Sequence, residues 1–210
     1  MRRLLFTQVF GFKTTKKSKY AQGMQWKSSG IDVKNKNFVL IDIVDYSKKI
    51  PEHQKDIVIM LNKNIKKCLE NLNFFDKTIA LPIGDGAILA FEDNINIITF
   101  IEAIVSALKE YNDSIPDNNK IIEVRYAIHN GHVFEFPDIN GNTNYAGNGI
   151  NIVSRIASQT KAKTILVSEA FSEWCKNSAT IDTGIFDESF EIEVKHDEKI
   201  IVRKMNSFSI

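Results

Sequence analysis

Phe38-Val39-Leu40-Ile41-Asp42-Ile43-Val44 is a seven-residue run with six apolar side chains and one acid. It is short and rich in β-branched residues, the pattern of a strand covered on both faces. An ionised carboxylate inside such a run is costly unless something pairs with it or binds to it. Working outward from this strand, Ser47 stands where it can cap a following helix. From Pro51 to Leu72 the apolar residues Ile57, Met60, Leu61, Ile65, Cys68, Leu69 and Leu72 recur at helical spacing. Thr78–Ile83 and Ala87–Phe91 then flank Gly84-Asp85-Gly86, the signature of a hairpin. Asn94 to Tyr111 repeats the helical stripe through Ile97, Ile101, Ile104 and Leu108.

Ile121 to Phe136 alternates as a long or paired strand, bent near Gly131, and 137–146 reads as a polar loop. A helix from Asn148 to Ser158, a strand from Thr164 to Val167, a short helix from Ser168 to Lys176 and two or three closing strands over 181–204 complete the chain. The order β-α-β-β-α-β with further α and β pieces predicts an α+β, ferredoxin-like domain with C-terminal additions.

Composition narrows the function. Of 210 residues, 43% are hydrophobic and 25% charged, which suits one globular domain and argues against disorder or a coiled coil. The net charge of +1 supplies no global field for nucleic acid or anionic lipid. Residues 1–36 nevertheless carry nine basic side chains and one acid, Asp32, without regular periodicity. They read as a basic N-terminal arm, a tail or loose cover, ahead of a catalytic domain over 37–210; with few aromatics for stacking, no nucleic-acid partner is expected. Cys68 and Cys175 sit in helical patterns, as buried reduced thiols of a cytosolic protein. The apolar stretch Ile97–Leu108 is broken by Glu102 and too short for a membrane span, and no secretory signal follows Arg2-Arg3. A soluble, cytoplasmic chain is expected.

Two residues stand out for chemistry. Asp42 lies in the apolar strand, and Asp85 lies between glycines that let backbone approach a ligand. Adjacent strands would bring both acids to one sheet edge, where two carboxylates with no fixed basic partner make a hard, oxygen-ligand site for a divalent cation. Taken alone, Asp85 is an ordinary turn residue; its partnership with a strand-interior acid is what favours the metal reading. Asn151 and Arg155 are four apart on a helix and share a face, as solvated residues often do, but Arg offers a fork for phosphate oxygens. His129 and His132 frame a strand bend and lack the further ligands a zinc site needs.

Taken in chain order, these segments resemble the class III nucleotidyl cyclases, the adenylate and guanylate cyclase catalytic domain. Phe38–Ser47 is similar to the family's first metal-aspartate strand with its phosphate-wrapping turn, Ile83–Gly86 to the second metal aspartate, Val124–Gly131 to its R-x-G-I-H-x-G strand, and Gly147–Ile156 to its G-x-x-V-N-x-A-x-R helix. The resemblance implies that Asp42, Asp85 and the Ile43 carbonyl hold two Mg²⁺ or Mn²⁺ ions and that Tyr46 and Ser47 lie along the triphosphate. It further implies that Asn151 orients the ribose and that Arg155 stabilises charge on the α-phosphate. A lysine near the C-terminus clasps the triphosphate in such enzymes; Lys195 is the nearest match, with Lys199 the alternative. A head-to-tail homodimer with two shared sites is implied as well.

The departures refine the expectation. Leu81 and Asn144 occupy the positions where purine cyclases carry their base-reading side chains. Leu81 cannot hydrogen-bond a base, and Asn144 can both donate and accept. Asp45 replaces a frequent glycine of the phosphate turn. Stand-alone cyclases with these features resemble the bacterial pyrimidine cyclases of Pycsar anti-phage defence, which implies cyclic UMP, or next cyclic CMP, made for a downstream effector. An adenylate or guanylate cyclase with atypical base contacts, or an inactive nucleotide-sensing domain, are the alternatives.

Overall fold

The computed structural model describes residues 32–178, 181–194 and 198–206. Twelve regular elements follow one another: β1 (Val33–Ile43), α1 (Pro51–Asn71), β2 (Thr78–Pro82), β3 (Gly86–Phe91), α2 (Ile97–Ser114), β4 (Val124–Pro137), β5 (Thr143–Ala146), α3 (Asn148–Gln159), β6 (Ile165–Ser168), α4 (Glu169–Lys176), β7 (Phe190–Glu193) and β8 (Lys199–Lys204). The α+β expectation holds, with one sheet of eight strands in the order β2-β3-β1-β4-β6-β8-β7 and β5 paired to β4.

The period-two alternation of β1 explains the layering. Val39, Ile41 and Ile43 face one core with Ile57 and Leu61 of α1, Phe100 and Ile104 of α2, and Phe171 of α4. Phe38 and Leu40 face a second core with Val153 and Ile156 of α3. The strand is therefore buried on both sides, as its apolar run demands. Glycine sets how closely α3 can lie on the sheet: a Cβ on Gly149 would stand 2.7 Å from the Phe38 ring and 3.2 Å from the Gly131 carbonyl carbon.

Several boundaries differ from the sequence reading. β1 begins at Val33, so residues 33–36 pair with Gly131–Phe134 of β4 and are part of the sheet rather than of the arm; residues 1–31 lie outside the described residues. Ser47 does not cap α1. The cap position is Ile50, without a side-chain bond, and Pro51 at the first turn supplies the preset φ instead. The expected polar loop contains β5, which pairs Thr143–Ala146 with Phe134–Pro137. α2 starts at Ile97, capped by Asn96 through a 3.1 Å bond from the Ile98 N–H. Cys68 and Cys175 are both buried and free.

Candidate functional site

The end of β1 gathers the acids. Asp42 lies opposite Gly86 of β3 on one side and Arg125 of β4 on the other. Asp85 precedes Gly86, and its carbonyl accepts a 3.1 Å bond from the Ile43 N–H. In extended backbone a residue's N–H and C=O point to the same edge, so the Ile43 carbonyl faces the Asp85 turn as well. Gly86 permits the approach: a Cβ there would press into the Ile41 carbonyl oxygen and stand 3.0 Å from Asp42 Cα. Residues 42, 43 and 85, far apart in the chain, are thus neighbours.

Asp42 is not free of basic partners, contrary to the sequence expectation. Arg125 donates to its Oδ2 through Nε at 2.7 Å and lies within 2.6 Å of it through Nη2. Burial pushes the Asp42 carboxyl above its usual range; the Arg125 bond opposes that rise and the nearby Asp85 charge adds to it. The pair follows from register: antiparallel β1 and β4 set positions 42 and 125 side by side, which no local pattern announces.

The turn after β1 holds Tyr46 and Ser47. Asp45 takes φ 56°, the left-handed region where glycine is favoured, and its carboxylate meets Lys48 Nζ at 2.8 Å. Lys48 and Lys49 N–H groups donate to the Asp45 and Tyr46 carbonyls, each at 3.1 Å, while Ser47 is exposed.

Asn151 and Arg155 lie on α3, the helix that covers the second core. Asn151 is exposed, and the Arg155 guanidinium donates to Glu198, next to β8. Among the described residues no hydrogen bond or ion pair joins Asn151 or Arg155 to Asp42 or Asp85. The two positions expected to face the base lie on β2 and β5. Leu81 on β2 packs on the cluster that holds Tyr145, and β2 touches β5. Asn144 Oδ1 accepts from the Tyr145 N–H at 2.7 Å. Lys195 lies outside the described residues, and Lys199 is exposed and paired with Glu191 at 2.6 Å. His129 is buried with Nδ1 2.8 Å from Ser168 Oγ, and burial lowers its pKa to about 4, so it acts as a core side chain rather than a ligand.

The described chain therefore presents a sheet with an acidic edge at one place and a polar helix face at another. Solved structures share this architecture. The guanylyl cyclase Cya2 superposes with a TM-score of 0.67 over 84% of this chain and 93% of its own, at 14% identity. The guanylate cyclase domain of RhGC from Catenaria anguillulae, in complex with GTP, gives 0.62 over 82% and 96%, at 16% identity. This is the nucleotidyl cyclase fold. In sequence, "Putative adenylate cyclase 3" of Rhizobium meliloti is 24% identical over 160 residues, 75% of this chain. The chain spans about a quarter of that relative's length. No protein-family profile matches the sequence.

Within the cyclase fold two clefts lie away from the acids. A cavity of about 370 Å³ sits between α2 and the start of β4, lined by Val105, Leu108, Ile122 and Tyr126. A groove of about 590 Å³ lies on the far edge beside Phe190 and Ile192 of β7. Among the described residues, no helix is long and apolar enough to cross a membrane.

Proposed function

We propose that the chain is a divalent-metal-dependent nucleotidyl cyclase that works as a homodimer. It would convert a nucleoside triphosphate, UTP first and CTP next, into the 3′,5′-cyclic monophosphate and pyrophosphate. The observation that carries the reading is the meeting of Asp42, Ile43 and Asp85 at one edge of a cyclase fold. Two carboxylates and a carbonyl gathered at one place are hard oxygen donors, so the set fits Mg²⁺ or Mn²⁺. When bound, two such ions supply a lowered pKa for the ribose 3′-hydroxyl and compensation of triphosphate charge.

The chain's own residues do the rest. The 3′-oxygen loses its proton and forms a bond to the α-phosphorus while the bond to the bridging oxygen breaks, and pyrophosphate leaves with that oxygen. Asn151 holds the ribose so that the 3′-oxygen is in line, and Arg155 meets the charge on the α-phosphate oxygens. Within one chain Arg155 is turned to Glu198, and on the shared-site reading a second copy brings its α3 face to the acidic edge. Tyr46 and Ser47 border the phosphates, with Lys195 or Lys199 as the C-terminal clasp.

Base choice rests on Leu81 and Asn144. The Asn144 oxygen is engaged by the Tyr145 N–H, which leaves Nδ2 as the outward donor. A donor suits uracil O4 and does not suit the cytosine amino group. Leu81 gives a purine no polar partner, which disfavours ATP and GTP. The reading that competes is a guanylate cyclase, because the same Nδ2 can reach guanine O6. The product would serve a cytosolic effector in anti-phage signalling. Incubation with each of the four triphosphates and Mn²⁺, with the cyclic product identified by mass, tests the activity and the base choice. Cyclic UMP is the expected product. Cyclic GMP would replace the base assignment, and Asp42→Ala with undiminished turnover would remove the metal assignment.

A further inference from the structure

We propose that Arg125 is a latch on the metal-binding edge: it occupies Asp42 when no divalent ion is bound, must release Oδ2 for one to enter, and so sets the concentration at which the edge loads. This rests on the reading of Asp42 and Asp85 as ion ligands. Arg125 and Asp42 are direct cross-strand partners, so the guanidinium is held at the carboxylate by the sheet itself and needs no loop to close. Nε at 2.7 Å and Nη2 at 2.6 Å converge on the same oxygen, Oδ2, while among the described residues no donor reaches Oδ1. One oxygen is thus saturated with positive charge, and the other is open.

A cation approaching Oδ2 meets a guanidinium in its place and is repelled by it. Asp85 precedes Gly86, the cross-strand partner of Asp42, and among the described residues its carboxylate takes no bond from Arg125. The edge is therefore half-neutralised, with one acid compensated and one not. The two partners differ in freedom. The Asp42 side chain is 12% exposed and fixed in the strand, whereas the Arg125 side chain is 32% exposed and can withdraw into solvent. Exchange of the guanidinium for an ion then moves only Arg125.

The test uses the full chain without nucleotide and follows free Mn²⁺ by electron paramagnetic resonance. Arg125→Gln should bind Mn²⁺ about 10- to 100-fold more tightly than the parent, the range one charge-assisted hydrogen bond converts to. Arg125→Lys, with a single compact charge, should fall between them, and Asp42→Asn should lose the binding. In the unaltered protein the Arg125 Nε–Hε resonance should shift on adding diamagnetic Mg²⁺, with the midpoint of ion binding. Arg125→Gln that binds no more tightly than the parent, while Asp42→Asn still abolishes binding, overturns the latch and leaves the ion site standing. Asp42→Asn that binds like the parent removes the ion site, and the latch with it. Should Arg125→Gln fail to fold by circular dichroism, the resonance decides: a signal unmoved at saturating Mg²⁺ overturns the latch.

Discussion

Gly86→Ala isolates the contact that brings the two acids together. The new Cβ would press into the Ile41 carbonyl oxygen and stand 3.0 Å from Asp42 Cα and 3.1 Å from the Ile41 carbonyl carbon. All three are backbone atoms of a central strand hydrogen-bonded on both sides, so they cannot turn aside as a flexible side chain would. β3 must instead back away at residue 86, and Asp85 moves with it, losing the 3.1 Å bond from the Ile43 N–H. Overpacking of this kind costs ~1–3 kcal/mol, and the lost bond about 1 more, for roughly 2–4 kcal/mol in all. At this chain size that lowers the melting temperature by about 5–15 °C. Mn²⁺ binding should weaken at least ~10-fold, because one of the two carboxylates leaves its partner. Gly84→Ala is the control. Its φ of +91° makes alanine strained, but open space surrounds the added carbon, so the cost is about 1 kcal/mol and Asp85 stays near Asp42. Thermal melts and Mn²⁺ titrations on both variants check the reasoning. Gly86→Ala with parental melting and parental ion affinity would refute the claim that close strand approach builds the edge.

Three further outcomes are expected. His129 has a pKa lowered from 6.5 to about 4 by burial first and by His132 next, so between those pH values the unfolded chain binds a proton that the folded chain refuses. Stability is lost as pH falls through this window, by up to ~3 kcal/mol at 1.36 kcal/mol per unit; His129→Gln should flatten that acid limb in urea melts, and an unchanged slope sinks the assignment. In the turn after β1, Lys48 sits 2.8 Å from Asp45, so Lys48→Gln should raise the KM for the triphosphate a few-fold by leaving that carboxylate uncompensated. The rise should vanish in an Asp45→Gly background; persistence there means Lys48 touches substrate itself. Glu198 is 56% exposed in its pair with Arg155, so Glu198→Gln should leave melting within about 2 °C while kcat/KM rises as Arg155 is freed. A fall in kcat/KM would mean that Glu198 positions the guanidinium instead.

The legible parts of the sequence are those where one local pattern decides. Six apolar neighbours around Asp42 could only be a covered strand, and the burial of residues 37–43 follows. Glycine on both sides of Asp85 marked the turn that meets it. What escaped depends on partners distant in sequence or on elements with one paired edge. Arg125 lies 83 residues from Asp42, and only the β1–β4 register sets them together. β5 is four residues long, pairs on one side, and buries only Tyr145, so its composition reads as loop. Residues 33–36 read Val-Lys-Asn-Lys, and their polar side chains hide a strand segment that pairs on one side, with β4, before β3 joins at Asn37. Ser47 failed as a cap because the chain makes a separate short 3₁₀ turn at Tyr46–Lys48 before Pro51 opens α1.

The unforeseen pairs have a common logic. On the proposed reading Asp42 and Arg155 carry the charges a phosphoryl transfer needs, and within one chain each already has a counter-ion, Arg125 and Glu198 respectively. Neither pair is deeply buried on both sides, so breaking it does not strand a desolvated charge. A stable apo chain and an assembled site are therefore reached by exchange of partners rather than by creation of charge: a cation for Arg125, a phosphate for Glu198. On that reading the balance falls to substrate, ions and the proposed second subunit together, and such a site would stay silent in a lone chain and form only when all of its parts arrive.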